Sequence, residues 1–193
     1  MEKRDAILEA ARTRFAQFGF KKATVDEIAR DAAVGKAAIY EFFGSKEGLF
    51  AAVLRHESDL LLARVEEAIA TTAGGAREKL RALILTKVRH LKSLRNFNGY
   101  QIEMFPEIQP FVREESRRYR KQERKVVEQI LADGMKDATL DVPDLEMVAF
   151  AVVMSLKEIE VPWFDERGRI SFEQGVEMLL HILFEGIQAR RAG

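Results

Sequence analysis

The fold is decided by residues 24–49, which have the sequence Thr24-Val-Asp-Glu-Ile-Ala-Arg-Asp-Ala-Ala-Val-Gly-Lys-Ala-Ala-Ile-Tyr-Glu-Phe-Phe-Gly-Ser-Lys-Glu-Gly-Leu49. Thr24 lies three positions before Glu27, which is the spacing of a capping box and predicts a short helix. The turn at residues 33–35 separates it from a second short helix that starts at Lys36. Ser45 is predicted to cap a long helix after that. Two short helices joined by a turn form a helix-turn-helix pattern.

A unit of this kind lays its second helix in the major groove of DNA, while its first helix crosses the phosphate backbone. The start of the second helix therefore needs small residues, which let the backbone approach the base edges, and a cation that holds a phosphate. The stretch Lys36-Ala-Ala-Ile-Tyr40 meets both needs. We expect Ile39 and Phe43 to pack inward. The outward-facing residues are then Lys36, Ala37, Tyr40 and Glu41.

The rest of the chain is predicted to be helical throughout. Ala, Leu, Glu, Lys and Arg dominate it, and β-branched runs with a period of two are missing. Apolar residues at helical spacing indicate about nine helices. The predicted breaks lie at Gly19, the linker 71–75, the pair Pro106 and Pro110, and the loop 161–168 before the capping residue Ser171. The expected architecture is all-α, with a three-helix DNA-binding head in residues 1–46 and a ligand-binding and dimerisation domain in residues 47–193.

Composition and charge exclude several classes of function. The chain has 193 residues, of which 47% are apolar and 32% charged, as in a soluble globular protein. Its 31 Lys and Arg balance 31 Asp and Glu (31 − 31 = 0), which excludes a uniformly basic nucleic-acid coat but not a local basic patch. The absence of Cys excludes disulfides and thiolate nucleophiles. Because no stretch is apolar enough for a transmembrane helix or a signal peptide, we expect a cytoplasmic protein.

Enzymatic and metal-dependent functions have no support in the motifs. His56, His90 and His181 are scattered, with no carboxylate or second His at the spacing of metal ligands. The chain has no Gly-x-Ser-x-Gly, no phosphate-binding Gly-rich loop and no dinucleotide fingerprint. We therefore expect no catalytic residue, no metal and no cofactor.

Residues 24–49 resemble the DNA-binding segment of the TetR family of bacterial transcriptional regulators, and so does the preceding stretch Ile7-Leu8 … Phe15 … Phe18-Gly19-Phe20. The match covers about residues 3–55, and its order of Ile-Tyr, Phe-Phe, Ser-Lys-Glu and Leu is specific. Beyond it the chain resembles the family only in length and helix order. Residues 1–55 carry ten Lys or Arg against eight Asp or Glu (10 − 8 = +2), so DNA binding has to rest on the placement of charges and on a dimer.

The resemblance implies roles for residues of the head. Thr24 would cap the first motif helix beside a phosphate, Lys36 would contact DNA, and Tyr40 would bind a phosphate through its hydroxyl. Lys46 would hold another phosphate at the N-terminus of the fourth helix. The implied DNA-contacting residues are Thr24, Val25, Gly35, Lys36, Ala37, Ala38, Tyr40, Glu41 and Lys46.

The chain departs from the family's pattern at four positions. Gly35 and Ala38 stand where Ser and Thr are frequent in the family. Glu41 and Phe42 stand where His and Tyr are frequent, so a hydroxyl that could contact phosphate is lost at Phe42. Glu41 would repel the DNA backbone unless it accepts a hydrogen bond from a cytosine amino group.

Aromatic and Met side chains cluster around Pro106 and Pro110, and the resemblance places an effector cavity among the middle helices. The candidate ligand-binding residues are Phe97, Tyr100, Met104, Phe105, Phe111, Tyr119, Phe150 and Met154. A cavity and an ordinary core are both open interpretations of this cluster. Few ionisable groups lie here, so the expected effector is an apolar or amphipathic small molecule, and Arg113, Arg117 or Arg120 would hold an acidic group.

Residues 113–125 carry seven cations and three anions. One interpretation is a solvated helix face with i,i+4 pairs such as Glu114 with Arg118. The other is a basic rim that attracts the anionic headgroup of a ligand.

The last two helices are predicted to form a homodimer. The helix from Phe172 to Ile187 is apolar on more than one side, and residues 145–159 offer a second apolar stripe. One chain buries one face of each helix, and a two-fold four-helix bundle would bury the remainder. The predicted interface residues are Leu145, Val152, Leu156, Val176, Leu179, Leu183, Phe184 and Ile187.

The sequence thus predicts a ligand-responsive transcriptional repressor that a small effector releases from a palindromic DNA operator. Its dimer would place two recognition helices in successive major grooves, about 34–36 Å apart, and the effector would shift the fourth helix and change that spacing. Two alternatives stay open. One is a helical small-molecule-binding protein or enzyme whose helix-turn-helix is only structural, and the other is an architectural DNA-binding protein without an effector.

Overall fold

A computed structural model describes residues 2–93, 106–159 and 171–187, although not the side chains of residues 91–93, 157–159, 172, 186 and 187. Its helices are α1 (Lys3–Lys22), α2 (Val25–Asp31), α3 (Lys36–Phe43), α4 (Lys46–Thr71), α5 (Ala76–Ser93), α6 (Gln109–Lys136), α7 (Leu145–Ile159) and α8 (Phe172–Ile187). Because these ranges contain no β-strand, the all-α prediction is confirmed for them. The helix expected around residues 100–111 lies largely outside the described residues.

The predicted caps and breaks of the head are present. Gly19 interrupts α1 with a φ of 76°, a conformation that side-chain-bearing residues rarely adopt. The Thr24 hydroxyl accepts from the Glu27 N–H at 3.3 Å, and the Glu27 carboxylate accepts from the Thr24 N–H at 3.1 Å, which completes the capping box. Ser45 Oγ accepts from the Gly48 N–H at 3.0 Å and so caps α4. These local bonds set where each helix of the head begins.

The core of the head is built from one face of each helix. Ile7, Ile28 and Ile39 come from α1, α2 and α3, and each is 0% exposed. Phe15 lies 5.1 Å from Phe50 of α4 between ring centroids, in an edge-on arrangement. Burying side chains of this size stabilises the fold by roughly 1.5–3 kcal/mol each. Ile39 is therefore the anchor that holds α3 on the head.

The chain divides into two compact units: unit 1 is Met1–Leu60 with Leu91–Arg118, and unit 2 is Leu61–His90 with Tyr119–Gly193. Helices α4, α5 and α6 contribute residues to both units. The domain boundary between residues 46 and 47 was expected where α4 begins, and it stays a prediction.

Within unit 1, the start of α6 is bound to α4 by ion pairs. Arg118 donates to Asp59 at 2.6 Å and to Glu115 at 2.6 Å, and Arg55 donates to Glu115 at 3.2 Å. Glu115 is buried, whereas Glu114 is exposed. The expected pair of Glu114 with Arg118 is therefore wrong, because the partner on α6 is the glutamate that faces the interior. A solvated charged face is nevertheless present on α6, because Arg113, Glu114, Arg117, Lys121 and Lys125 are exposed.

Unit 2 combines an apolar core with salt bridges between its helices. Leu80, Leu83 and Leu180 are each 1% exposed or less. Arg77 and Arg81 of α5 both pair with Glu177 of α8. In the described residues, no helix has the length and apolar character that a membrane crossing requires, and no group of three or more acidic or His side chains is placed to hold a metal ion.

Candidate nucleic-acid interface

Helix α3 presents one exposed face opposite its anchor. Tyr40 is 45% exposed, and the other exposed residues of the helix are Lys36, Ala37, Glu41 and Phe42. Ala38 is half-buried and packs against the head core. The predicted orientation of α3, with Ile39 inward, is therefore confirmed, while contact of the exposed face with DNA stays a prediction.

The cation expected to contact DNA already has a partner in the free protein. Lys36 Nζ lies 3.0 Å from Oδ1 and 3.1 Å from Oδ2 of Asp26, on α2. The hydrogen bond to Asp26 raises the pKa of Lys36, and so does the charge of that carboxylate. Both side chains are largely exposed, so the pair is weak and a phosphate can compete for the ammonium group. Sequence reasoning missed Asp26, which lies in the neighbouring helix.

The residues at the two helix starts offer backbone groups rather than side chains. Val25 is 7% exposed and belongs to the head core, so it can offer DNA only its backbone N–H at the first position of α2. Gly35 is exposed and forms the N-cap of α3 without a side-chain hydrogen bond. The Thr24 hydroxyl is engaged by Glu27 at 2.8 Å. These positions fit close approach of a phosphate to N–H groups.

Lys46 is turned towards the end of α1. Its ammonium group lies 4.5 Å from the ring centroid of Phe20 and donates to the carbonyl of Lys21 at 3.4 Å. The pKa of Lys46 is lowered, chiefly because burial disfavours the charged form. A phosphate contact by Lys46 would therefore need a different rotamer. The sequence alone does not reveal this requirement.

Four of the eight candidate ligand residues are described by the structure, and they lie on α6 and α7. Phe97, Tyr100, Met104 and Phe105 lie outside the described residues. Phe111 lines a cavity of about 400 Å³ in unit 1, together with Phe42 and Phe43 of α3. Phe150 is 48% exposed and Met154 is 41% exposed, so the structure places both on the surface of α7.

Unit 2 buries an ion pair that sequence reasoning missed. Lys87 of α5 donates to Glu123 of α6, and their side chains are 4% and 3% exposed. The Lys87 ammonium lies 5.3 Å from the ring centroid of Tyr119, a candidate ligand residue. The signal was the position of Lys87 among Leu83, Ile84 and Val88, on the apolar stripe of its helix. Burying two charges costs several kcal/mol per ion, which their mutual attraction has to offset.

The predicted dimer residues differ in how much surface they leave free. Val152, Leu156, Val176 and Phe184 are buried within the single chain. Leu145, Leu179 and Leu183 are half-buried, and the side chain of Ile187 is not among those that the structure describes. The large apolar side chains that α7 and α8 expose are instead Met147, Phe150, Met154, Met178 and Ile182. An interface on these helices would therefore centre on this second set, of which the sequence pattern indicated Met178 and Ile182 as a second apolar side of α8.

Two family models match the chain. One describes bacterial regulatory proteins of the tetR family and matches residues 7–53, and the other describes a tetracyclin repressor-like C-terminal domain and matches residues 73–187. The chain is 30% identical over 189 residues to the transcriptional repressor KstR2 of Mycolicibacterium smegmatis, covering 96% of this chain and 90% of the relative.

Solved structures share the fold along the chain. A transcriptional regulator from Cytophaga hutchinsonii has a TM-score of 0.78 at 22% identity, covering 96% of this chain and 98% of that one. The regulator FadR from Bacillus subtilis, solved in complex with stearoyl-CoA, has a TM-score of 0.70 at 22% identity, covering 95% and 98%. Likeness at this level of identity concerns the fold alone.

Proposed function

Because the chain belongs to the TetR family of bacterial regulatory proteins, we propose that it is a repressor that binds a palindromic operator as a homodimer. The observation that carries this proposal is the exposed face of α3, held on a capped and well-packed head by Ile39. Lys36, Ala37, Tyr40 and Glu41 on that face are small or polar, as entry into a major groove requires. A DNA operator as partner also assigns the protein to the bacterial cytoplasm.

The exposed apolar residues of unit 2 support the homodimer. Met147, Phe150 and Met154 recur at helical spacing on α7, and Met178 and Ile182 do so on α8. Five large apolar side chains on two helices are more than isolated exposed residues, and burial against a second copy would remove them from water. A dimer with two-fold symmetry then presents two copies of α3 to two half-sites.

Charge inside unit 2 supports an effector that combines an apolar body with an acidic group. Lys87 and Glu123 form the buried pair, and Arg64 donates to Nδ1 of the buried His90 at 2.8 Å. If an acidic ligand binds among these groups, its own carboxylate would replace a carboxylate of the protein in a buried interaction. The structural neighbour FadR was solved with stearoyl-CoA, which also combines a long apolar chain with anionic groups, in its case phosphates.

Selection of DNA from a random pool by the purified protein tests the proposal. We expect a palindromic site, and we expect stearate or stearoyl-CoA, used as probes, to release it in a fluorescence anisotropy assay. Decylamine, with an apolar chain and the opposite charge, serves as the control. A protein that selects no DNA would refute the operator, and release by the amine alone would refute the acidic effector.

A further inference from the structure

We propose that Glu41 of helix α3 reads a cytosine in each operator half-site, by accepting a hydrogen bond from the N4 amino group in the major groove. This inference rests on the proposed function, because it assumes that α3 is the helix that enters the groove. It goes further by naming the base and the side chain that selects it.

The geometry of α3 gives Glu41 and Ala37 the outermost positions on the helix. Residues of an α-helix are separated by about 100°, so Glu41 and Ala37 each lie about 160° around the axis from the buried Ile39. Tyr40 lies about 100° from Ile39, and Lys36 about 60°. When the helix docks with its exposed face in the groove, Ala37 and Glu41 therefore point to its floor, and the two larger polar residues point towards one phosphate strand.

The carboxylate of Glu41 has no use within the described part of the fold. Neither a hydrogen bond nor an ion pair joins it to another described residue, whereas Asp26 and Glu27 in α2 both hold partners. The residues three and four positions away on either side are Ala37, Ala38, Gly44 and Ser45, so its own helix and the turn after it supply no cation. An exposed carboxylate of this kind adds no stability to the fold. Stability therefore does not explain why an acid lies at the centre of a DNA-facing surface.

The chemistry of the groove limits what such an acid can bind. A carboxylate only accepts hydrogen bonds, so it is repelled by phosphates and by the N7 and O6 acceptors of guanine. Adenine offers an amino donor beside the N7 acceptor, which opposes a second carboxylate oxygen. Cytosine offers the N4 amino donor without an acceptor of its own beside it in the groove. The base that fits Glu41 is therefore cytosine, and the small Ala37 one turn earlier lets the helix come close enough to reach it.

The test uses the full-length protein and the site that it selects from random DNA. Dissociation constants are measured by fluorescence anisotropy for the selected site, for a site with the C·G pair changed to T·A, and for a site with 2-pyrimidinone, which lacks the amino group, in place of cytosine. We expect each change to weaken binding of the unaltered protein about 5- to 150-fold. Glu41→Ala should bind all three sites within about twofold of one another, since its loss removes the discrimination.

Two further variants sharpen the result. Glu41→Gln should shift preference from cytosine towards adenine, because an amide can pair with both N6 and N7 of adenine. Asp5→Asn removes an exposed acid from α1 of the same unit and should leave the base preference unchanged. Thermal denaturation of each variant checks folding, and the 2-pyrimidinone site tests the contact with no change in the protein.

Several outcomes would overturn the inference. If Glu41→Gln binds every sequence more tightly and with a steeper dependence on salt, the carboxylate faces phosphates instead of a base. If Glu41→Ala keeps the full preference of the unaltered protein, another group reads the cytosine. If the unaltered protein selects a site without a constrained C·G pair, the inference fails while the proposed function stands. If it selects no DNA, both fail.

Discussion

The junction between α3 and α4 depends on one glycine, and replacing Gly48 with Ala is the sharpest test of how the head is held. A Cβ atom at this position would lie 2.2 Å from the carbonyl oxygen of Phe43, the last residue of α3. Close carbon–oxygen contacts in proteins are about 3.3–3.6 Å, so the start of α4 would have to move by about 1 Å. The clash is with the backbone, which cannot rotate away as a side chain does.

The expected cost follows from two contributions. Forcing an extra carbon into a packed site costs about 1–3 kcal/mol. Moving the start of α4 also strains the cap in which the Gly48 N–H donates to Ser45 Oγ at 3.0 Å, and losing such a cap costs about 1 kcal/mol. We therefore expect Gly48→Ala to lower the free energy of unfolding by about 2–4 kcal/mol in urea denaturation.

Gly35→Ala is the matched control for this experiment. A Cβ atom at Gly35 would meet nothing within 4 Å, and its φ of −73° suits any residue. Its cost should stay below about 1 kcal/mol, which is the difference between Gly and Ala at an N-cap. If Gly48→Ala proves as stable as Gly35→Ala, the contact with the Phe43 carbonyl does not position α4.

Three other predictions concern DNA contact, assembly and pH. Lys36→Ala and Tyr40→Phe should each weaken operator binding by a similar factor for all DNA sequences. Lys36→Ala should also reduce the slope of log affinity against log salt concentration by about 1. Unchanged affinity and slope would show that neither residue lies in the interface. Ile182→Asp should give a monomer in light scattering with little loss of chain stability, because this side chain is 65% exposed, and a dimer that persists would place the interface elsewhere. Burial and the nearby Arg64 lower the pKa of His90 from 6.5. Below pH 6.5 the imidazole therefore binds a proton in the unfolded chain more readily than in the folded chain. The free energy of unfolding then falls as the pH drops towards and through the lower folded-state pKa. His90→Gln should flatten that pH dependence in urea denaturation.

The sequence by itself determined the local architecture of the head. The Thr24 and Glu27 pair, the Ser45 cap and the break at Gly19 all depend on hydrogen bonds and backbone angles within a few residues, so their spacing is visible in the chain. The inward position of Ile39 follows from helical periodicity in the same way. These local signals sufficed to predict a helix-turn-helix and the exposed face of α3.

Only the tertiary structure decided which partners the side chains take. Lys36 pairs with Asp26, and Lys46 turns to Phe20, because folding brings residues of other helices beside them. Periodicity shows that a helix is apolar on two sides, but not which side faces its own chain. Unit 2 buries Phe184 and leaves Ile182 in solvent, since the choice depends on the combined packing of helices distant in sequence. Contacts of that kind have no signature within one helix, and for that reason the surfaces for the effector and the second copy had to come from the fold.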